Sequence, residues 1–390
     1  MVSQHRASTN ARSATMKEIV VIGAGKIGQT IADMLGSSGD YRVTVADRSE
    51  TQLAGIRTSA TVSTRKVDIA DKEALTALLE GRFAVLSAAP FDLTTRIAEV
   101  AAPLGVHYLD LTEDVASTRR VKELAKTAKA ALIPQCGLAP GFISIVAADL
   151  ARDFDALDSL RLRVGALPQY PSNALNYNLT WSTDGVINEY CEPCEAVVNG
   201  ELTLVPAMEE REEFSLDGVT YEAFNTSGGL GTLCETLAGK VRTLNYRTIR
   251  YPGHCAIMKA LLQDLRLADR RDVLKDIFEN ALPSTLQDVV VIFVTVSGMK
   301  DGRLLQQTYA NKVYSATVGG VTRSAIQITT ASGICAVLDM LAQGALPQQG
   351  FVRQEEITLD SFLANRFGKA HARAEDGAPG KGEIERSRAA

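Results

Sequence analysis

The chain has 390 residues, 46% of them apolar and 22% charged, and a formal net charge of −5. That length suits two domains, and that balance suits a water-soluble globular chain with a full core. The excess of acid excludes a global positive field for nucleic acid or anionic lipid, and no membrane span is expected, so a small molecule is the expected partner.

Residues 1–16 are polar and read as a disordered extension. From Glu18 a buried run, Ile19 to Ile22, leads through a glycine turn into a helix ending near Leu35 and a second strand, Arg42 to Ala46. This is a βαβ unit, and Gly23-Ala24-Gly25-Lys26-Ile27-Gly28 fits the dinucleotide fingerprint within it. The first glycine permits the tight turn, the second admits the pyrophosphate, and the third lets helix and strand pack, while Lys26 and Ile27 open the helix. Asp47 ends the second strand 19 residues after Gly28, where a carboxylate accepts the ribose hydroxyls of NAD. Arg48 follows and would instead clamp the 2′-phosphate of NADP, so NAD is favoured and NADP is the alternative.

Further strands are expected at Val67 to Ile69, Phe83 to Ser87, His107 to Leu109 and Ala131 to Ile133, with helices at Lys72 to Leu79 and Leu93 to Ala102. Alternation of this kind predicts a parallel, doubly wound Rossmann-type sheet over 17–140. Asp68 in the third strand and Ala88-Ala89-Pro90 after the fourth join the expected cofactor-binding set. Asp110 ends the fifth strand, on the side where open α/β sheets bind ligands, and is a candidate to hold or deprotonate a substrate amine. Glu113 and Asp114, after Thr112, are read equally well as first-turn acids of a helix capped by Thr112.

Past Gly141 a helix to Arg152 gives way to strands joined by Asn199-Gly200, Asp217-Gly218 and Asp301-Gly302, the dipeptides of tight hairpins. An α+β domain with a mixed or antiparallel sheet is expected over 141–320, with Val289 to Val296 at its centre and helices at Ala256 to Leu267 and Arg271 to Asn280. A segment 321–367, with a helix from Ser332 to Ala342, is expected to return to the first domain, and 368–390 to be disordered. The six cysteines form no metal pattern, so no metal site is expected, and they read as reduced thiols of a cytoplasmic protein.

Four strings carry a family likeness: Val21-Ile22-Gly23-Ala24-Gly25, Tyr108-Leu109-Asp110-Leu111-Thr112, Gly137-Leu138-Ala139-Pro140-Gly141 and Tyr251-Pro252-Gly253-His254. Together they resemble the saccharopine dehydrogenase-like family over Lys17 to Phe367. Tyr177 to Ser182, Ile187 to Tyr190 and Ser227-Gly228-Gly229 look most like its lysine 6-dehydrogenase branch. The resemblance implies NAD-dependent oxidation of the lysine ε-amine to an aldehyde, with release of ammonia and cyclisation of the product. Such chemistry needs a base and a carboxylate anchor. Asp110 and His254 are the candidate bases. Arg242 and Arg250 share strand parity as candidate anchors, with Arg247 facing away. Tyr177, Trp181 and Glu189 are candidates for an amine pocket. Formation of a saccharopine-like or carboxyspermidine-like secondary amine is the alternative within the family, and a non-catalytic dinucleotide sensor is the alternative outside it. A homo-oligomer, dimer or tetramer, is expected from strand edges left open by the second sheet.

Overall fold

The computed structural model describes residues 16–372. Apart from Met16, the N-terminal extension lies outside the described residues, as does the expected tail from 373 onward.

Seven parallel strands form the first sheet. In chain order they alternate with helices: β1 (Lys17–Ile22), α1 (Lys26–Ser37), β2 (Tyr41–Asp47), α2 (Glu50–Ala54), β3 (Val62–Lys66), α3 (Lys72–Leu79), β4 (Ala84–Ser87), α4 (Phe91–Leu104), β5 (His107–Asp110), α5 (Val115–Ala125) and β6 (Ala131–Ile133). The spatial order β3-β2-β1-β4-β5-β6 is the doubly wound one, with the switch point between β1 and β4. Ile19, Val20 and Val21 have no exposure, because helices cover both faces of this central strand. The third strand is Val62–Lys66, not Val67 to Ile69. Only Val62 of it is buried, while Ser63 to Lys66 are exposed at the sheet edge. An edge strand wetted in this way reads as polar, and the apolar pair Val67 and Ile69 just beyond it drew the assignment.

After α6 (Phe142–Ala151) the chain builds a mixed sheet from β7 (Ala156–Pro168), β8 (Cys194–Val198), β9 (Glu201–Val205), β10 (Glu212–Leu216), β11 (Val219–Asn225), β12 (Val241–Arg250), β13 (Asp288–Lys300) and β14 (Arg303–Tyr314). Three hairpins turn at the expected dipeptides, with Asn199, Asp217 and Asp301 all in the left-handed region that these turns require. The run from Val289 lies in β13, which is one strand in from the edge strand β14, not at the centre; β7 and β12 run parallel in the middle. Helices α7 (Thr183–Cys191), α8 (Leu233–Leu237), α9 (His254–Lys259) and α10 (Arg271–Ala281) close this half. α9 begins two residues earlier than expected and passes into a π-helical turn, Ala260–Asp264.

The hairpin β15 (Ala316–Val318) and β16 (Val321–Arg323) leads into α11 (Ala325–Ala342). This helix starts seven residues before the expected Ser332, because Ser324 and Gln327 form a reciprocal capping box. It has 18 residues with a mean hydropathy of 1.5 and is 89% buried, packed between α1 and β13. Such a helix meets the length of a membrane span, but here its apolar surface is the cement between the two sheets. β17 (Gly350–Phe351) extends the first sheet beside β6, and α12 (Leu359–Ala364) packs on α6. The chain remains ordered past 367: Gly368–His371 form a 3-10 turn with His371 fully buried against Phe142.

Candidate active site

A cavity of about 930 Å³ opens between the carboxyl ends of the parallel strands and the mixed sheet. Its floor is the glycine loop. Gly23 has φ of +105°, and a methyl there would sit 2.6 Å from the Ala88 carbonyl oxygen, so the loops after β1 and β4 touch through a position only glycine fills. A methyl at Gly28 would sit 1.8 Å from the Gly23 carbonyl oxygen. Gly25 caps α1 without a side-chain bond, which leaves the first amide donors of the helix open beside Ala88, Ala89 and Pro90. Asp47 accepts the Ala24 and Ser49 amides, both at 2.8 Å, and so clamps the loop from behind. These features fit a dinucleotide pyrophosphate. Gly28→Ala is expected to weaken NADH binding by about 10- to 100-fold through this backbone clash, as read by nicotinamide fluorescence; retained affinity would show that the loop can yield.

The loops after β5 and β6 form one side wall. Asp110 has no exposure and does not reach the cavity. It accepts the Thr112 amide at 3.0 Å, the Gln135 amide at 2.8 Å and the Tyr108 hydroxyl at 2.7 Å. Burial raises its carboxyl to about 6 against these three donors. The residue therefore fastens the two wall loops together. Asp110→Ala leaves two buried amides without partners and the Tyr108 phenol with only the Thr94 carbonyl, at 3.3 Å, and an unfolding midpoint should record a loss of about 2–4 kcal/mol. An unchanged midpoint would remove this role.

Glu113 is the carboxyl that faces the cavity. Asp114, not Thr112, caps α5, accepting the Ser117 amide at 2.7 Å, which frees Glu113 from capping. Gly228 sits so close behind it that a methyl there would lie 2.6 Å from the Glu113 carbonyl oxygen. Burial, with the neighbouring Asp114 and Asp110 carboxylates, raises Glu113 to about 7.

The opposite wall comes from the mixed sheet and α7. Alternate residues of β12, Tyr246, Thr248 and Arg250, line it, as the period of a strand dictates. Trp181, Asn188 and Glu189 complete it. Glu189 is 7% exposed, no hydrogen bond to another described side chain engages its carboxyl, and burial together with Glu113 raises it well above the usual range. Arg250, 2% exposed, donates from Nε to the Tyr190 hydroxyl at 2.8 Å and from Nη1 to the Ile249 carbonyl at 2.8 Å. Its guanidinium also stacks on Tyr177 and Tyr190, at 5.1 and 5.7 Å. Its Nη2 edge is left for a ligand. One buried guanidinium and two carboxyls thus meet above the glycine loop.

Two family models divide the chain. The model described as the saccharopine dehydrogenase NADP binding domain matches residues 19–133, and that of the saccharopine dehydrogenase C-terminal domain matches residues 137–369. The chain belongs to the saccharopine dehydrogenase family. Among its relatives, the rat mitochondrial alpha-aminoadipic semialdehyde synthase is 23% identical over 199 residues, 49% of this chain and 22% of that protein. The saccharopine dehydrogenase [NADP(+), L-glutamate-forming] of Saccharomyces cerevisiae is 22% identical over 265 residues, 65% of this chain and 59% of that one. The chain thus spans well under two thirds of these relatives' length. Apo saccharopine dehydrogenase (L-Glu forming) from the same yeast has the same fold, with a TM-score of 0.72 at 17% identity over 87% of this chain and 94% of that one.

Within this family fold, the structure gathers some of the residues expected from sequence and separates others. Gly25, Lys26, Ile27, Gly28, Ala88, Ala89, Pro90, Trp181, Glu189 and Arg250 line the cavity, with Gly23 directly beneath. Arg242 does not: it is exposed and paired with Asp158 at 2.7 Å, eight residues and roughly 26 Å down the strand from Arg250. Parity places both arginines on one face, but only the end of β12 reaches the crevice. Arg48 and Asp68 are exposed and lie off the cavity, and Asp68 accepts the Ala70 amide in its own turn. Tyr177 is buried behind Arg250. His254, 1% exposed, holds the Leu175 carbonyl with Nδ1 at 2.8 Å and meets the Tyr190 hydroxyl with Nε2 at 3.1 Å. Burial and Arg250 lower it to about 3, so the imidazole is neutral, with Nδ1 donating to Leu175 and Nε2 accepting a hydrogen bond from the Tyr190 hydroxyl. It orients Tyr190, which in turn orients Arg250, and it is not a base for substrate. Sequence reasoning missed Glu113 as the cavity carboxyl. The signal was Asp114 three residues before Ser117, a better cap than Thr112.

Proposed function

We propose that this protein is an NAD-dependent dehydrogenase of a basic amino acid, oxidising the ε-amine of L-lysine with release of ammonia. The observation that carries the reading is the placement of Arg250, Glu189 and Glu113 in one cavity above the glycine loop. A zwitterionic head with a second amine has the complementary charges: a carboxylate for Arg250, an ammonium for Glu189, and a reacting amine for Glu113.

A bound nicotinamide dinucleotide supplies the hydride acceptor. Glu113, whose carboxyl is raised to about 7, takes a proton from the substrate nitrogen so that the amine lone pair can assist departure of a hydride from the ε-carbon. Arg250 holds the far carboxylate and fixes which carbon faces the floor. Trp181 covers the aliphatic chain and excludes water from the reacting carbon. Asp47, at the end of β2 beside the loop it clamps, would accept the ribose hydroxyls of NAD, and the exposed Arg48 next to it would serve NADP as the alternative.

The relatives' names support a second reading, a saccharopine-like secondary amine as substrate, which a cavity of this size would also admit. NADH formation at 340 nm with lysine, ornithine, saccharopine and carboxyspermidine-type amines, each with NAD and NADP, tests both. Lysine-dependent turnover with stoichiometric ammonia is the expected result. Turnover only with a conjugated amine moves the protein to the second reading, and dinucleotide binding with no turnover makes it a sensor. We also propose that the protein is a homo-oligomer, since β14 leaves a twelve-residue edge with Leu304 and Tyr314 exposed, and a cytoplasmic one, since its six cysteines are unbridged; sedimentation as a monomer would overturn the assembly.

A further inference from the structure

A second chamber of about 440 Å³ adjoins the main cavity, and the two share Phe91, Glu113 and Asn188. Its walls carry Glu113, Asp114, Glu192 and Glu195 against Arg119. Arg119 is neutralised by Glu195 at 2.7 Å, Glu192 pairs with Arg271 at 2.7 Å, and Asp114 caps α5. Glu113 has no cation partner among the described residues, so the end of the chamber that meets the main cavity is acidic. Ser227 also lines it. That residue is 6% exposed, its amide is fixed to the Glu189 carbonyl at 3.1 Å, and its hydroxyl has no hydrogen-bond partner among the described residues. A small chamber with an unpaired carboxyl and a free buried hydroxyl suits a small cation that donates hydrogen bonds.

We propose that this chamber is an ammonium port, the path and weak binding place of the ammonium ion that the site releases. The proposal rests on the deamination reading. In that reaction the C–H bond breaks with its electron pair going to the dinucleotide, which is the oxidant. Water then supplies the oxygen of the new C=O bond, and the C–N bond breaks with its pair leaving on nitrogen. The ammonia takes up a proton and departs as ammonium, and one further proton is released to solvent. Nitrogen leaves beside Glu113, at the junction of the two cavities, while the dinucleotide and the aldehyde still fill the main one. Asp114, which pairs with no cation among the described residues, draws the ammonium on from Glu113 and, with it, repels the carboxylate-bearing aldehyde, so the two products part in different directions.

Ala116 is exposed on the first turn of α5 and lines the chamber without touching the main cavity. Ala116→Arg places a cation there at little risk to folding, and Glu195→Gln frees Arg119 to do the same. In the reverse direction, reductive amination of the lysine-derived aldehyde by NADH, both variants are expected to raise KM for ammonium about tenfold. KM for NADH and for the aldehyde should stay within about twofold of wild type. An unchanged ammonium KM overturns the port. A rise in amino-acid KM with ammonium KM unchanged also overturns it, because the chamber then holds part of the organic substrate. A wild-type protein that makes no NADH from lysine overturns the deamination reading and the port with it, and that failure is recognised before any variant is made.

Discussion

Arg250→Met is expected to lower kcat/KM for the amino acid by about 30- to 5000-fold, the range for removing one partner of a buried, hydrogen-bonded charge pair. The side chain sits at the end of β12, fully enclosed, with Nε committed to Tyr190 and Nη1 to the Ile249 carbonyl. Those bonds fix its orientation before substrate arrives, so the ordering cost is already met in the folded protein. Methionine keeps most of the volume and removes the charge. The effect should fall on KM as well as kcat, because the carboxylate is bound in the ground state and the transition state alike. NADH affinity, read by fluorescence, should stay within about twofold, since Arg250 lies on the wall and not the glycine floor. Arg250→Lys keeps the charge but not the planar fork, and should fall between the two. A loss of less than tenfold in Arg250→Met would mean that the substrate carboxylate is held elsewhere.

Glu113→Gln should reduce kcat by about 10²- to 10⁴-fold, the usual contribution of a general base, while leaving the cavity's shape nearly unchanged. The accompanying pH profile carries the sharper test. Glu113 is raised to about 7 by burial and by its acidic neighbours, so below that pH it is protonated and cannot accept the amine proton. Activity of the wild type should therefore climb as pH rises through about 7 and level above it. The limb should vanish in Glu113→Gln, leaving a low rate without that inflection. An intact limb in the variant would pass the role to Glu189, whose pKa is also raised, since the remaining cavity carboxyl, Asp184, is paired with Lys275. Asp110 is not a third candidate, because its oxygens are occupied by Thr112, Gln135 and Tyr108.

The two arginines on one face of β12 show how far sequence reasoning carries. Strand period correctly set Arg242 and Arg250 together and Arg247 apart, since side-chain direction depends only on counting residues. Which of the pair reaches the cavity depends on where the strand ends relative to the crevice, and that follows from pairing with β7 across some eighty residues of chain. The acidic run Asp110 to Asp114 gives the same lesson. Its position after a parallel strand marked a ligand-facing loop, but three carboxylates stood within five residues. Only the packed loops show one buried in hydrogen bonds, one capping a helix and one facing the cavity.

By itself the sequence determined the dinucleotide loop, the alternation that makes a parallel sheet, the hairpin turns of the second half and the family likeness. These depend on contiguous residues: a glycine needed for a turn, a period of two or of about 3.6, a cap ahead of a helix. The tertiary structure decided which acid faces the cavity, which arginine lines it, and that His254 is buried in the wall. Those roles are set by burial and by partners distant in the chain, and desolvation has no signature in a local string of residues.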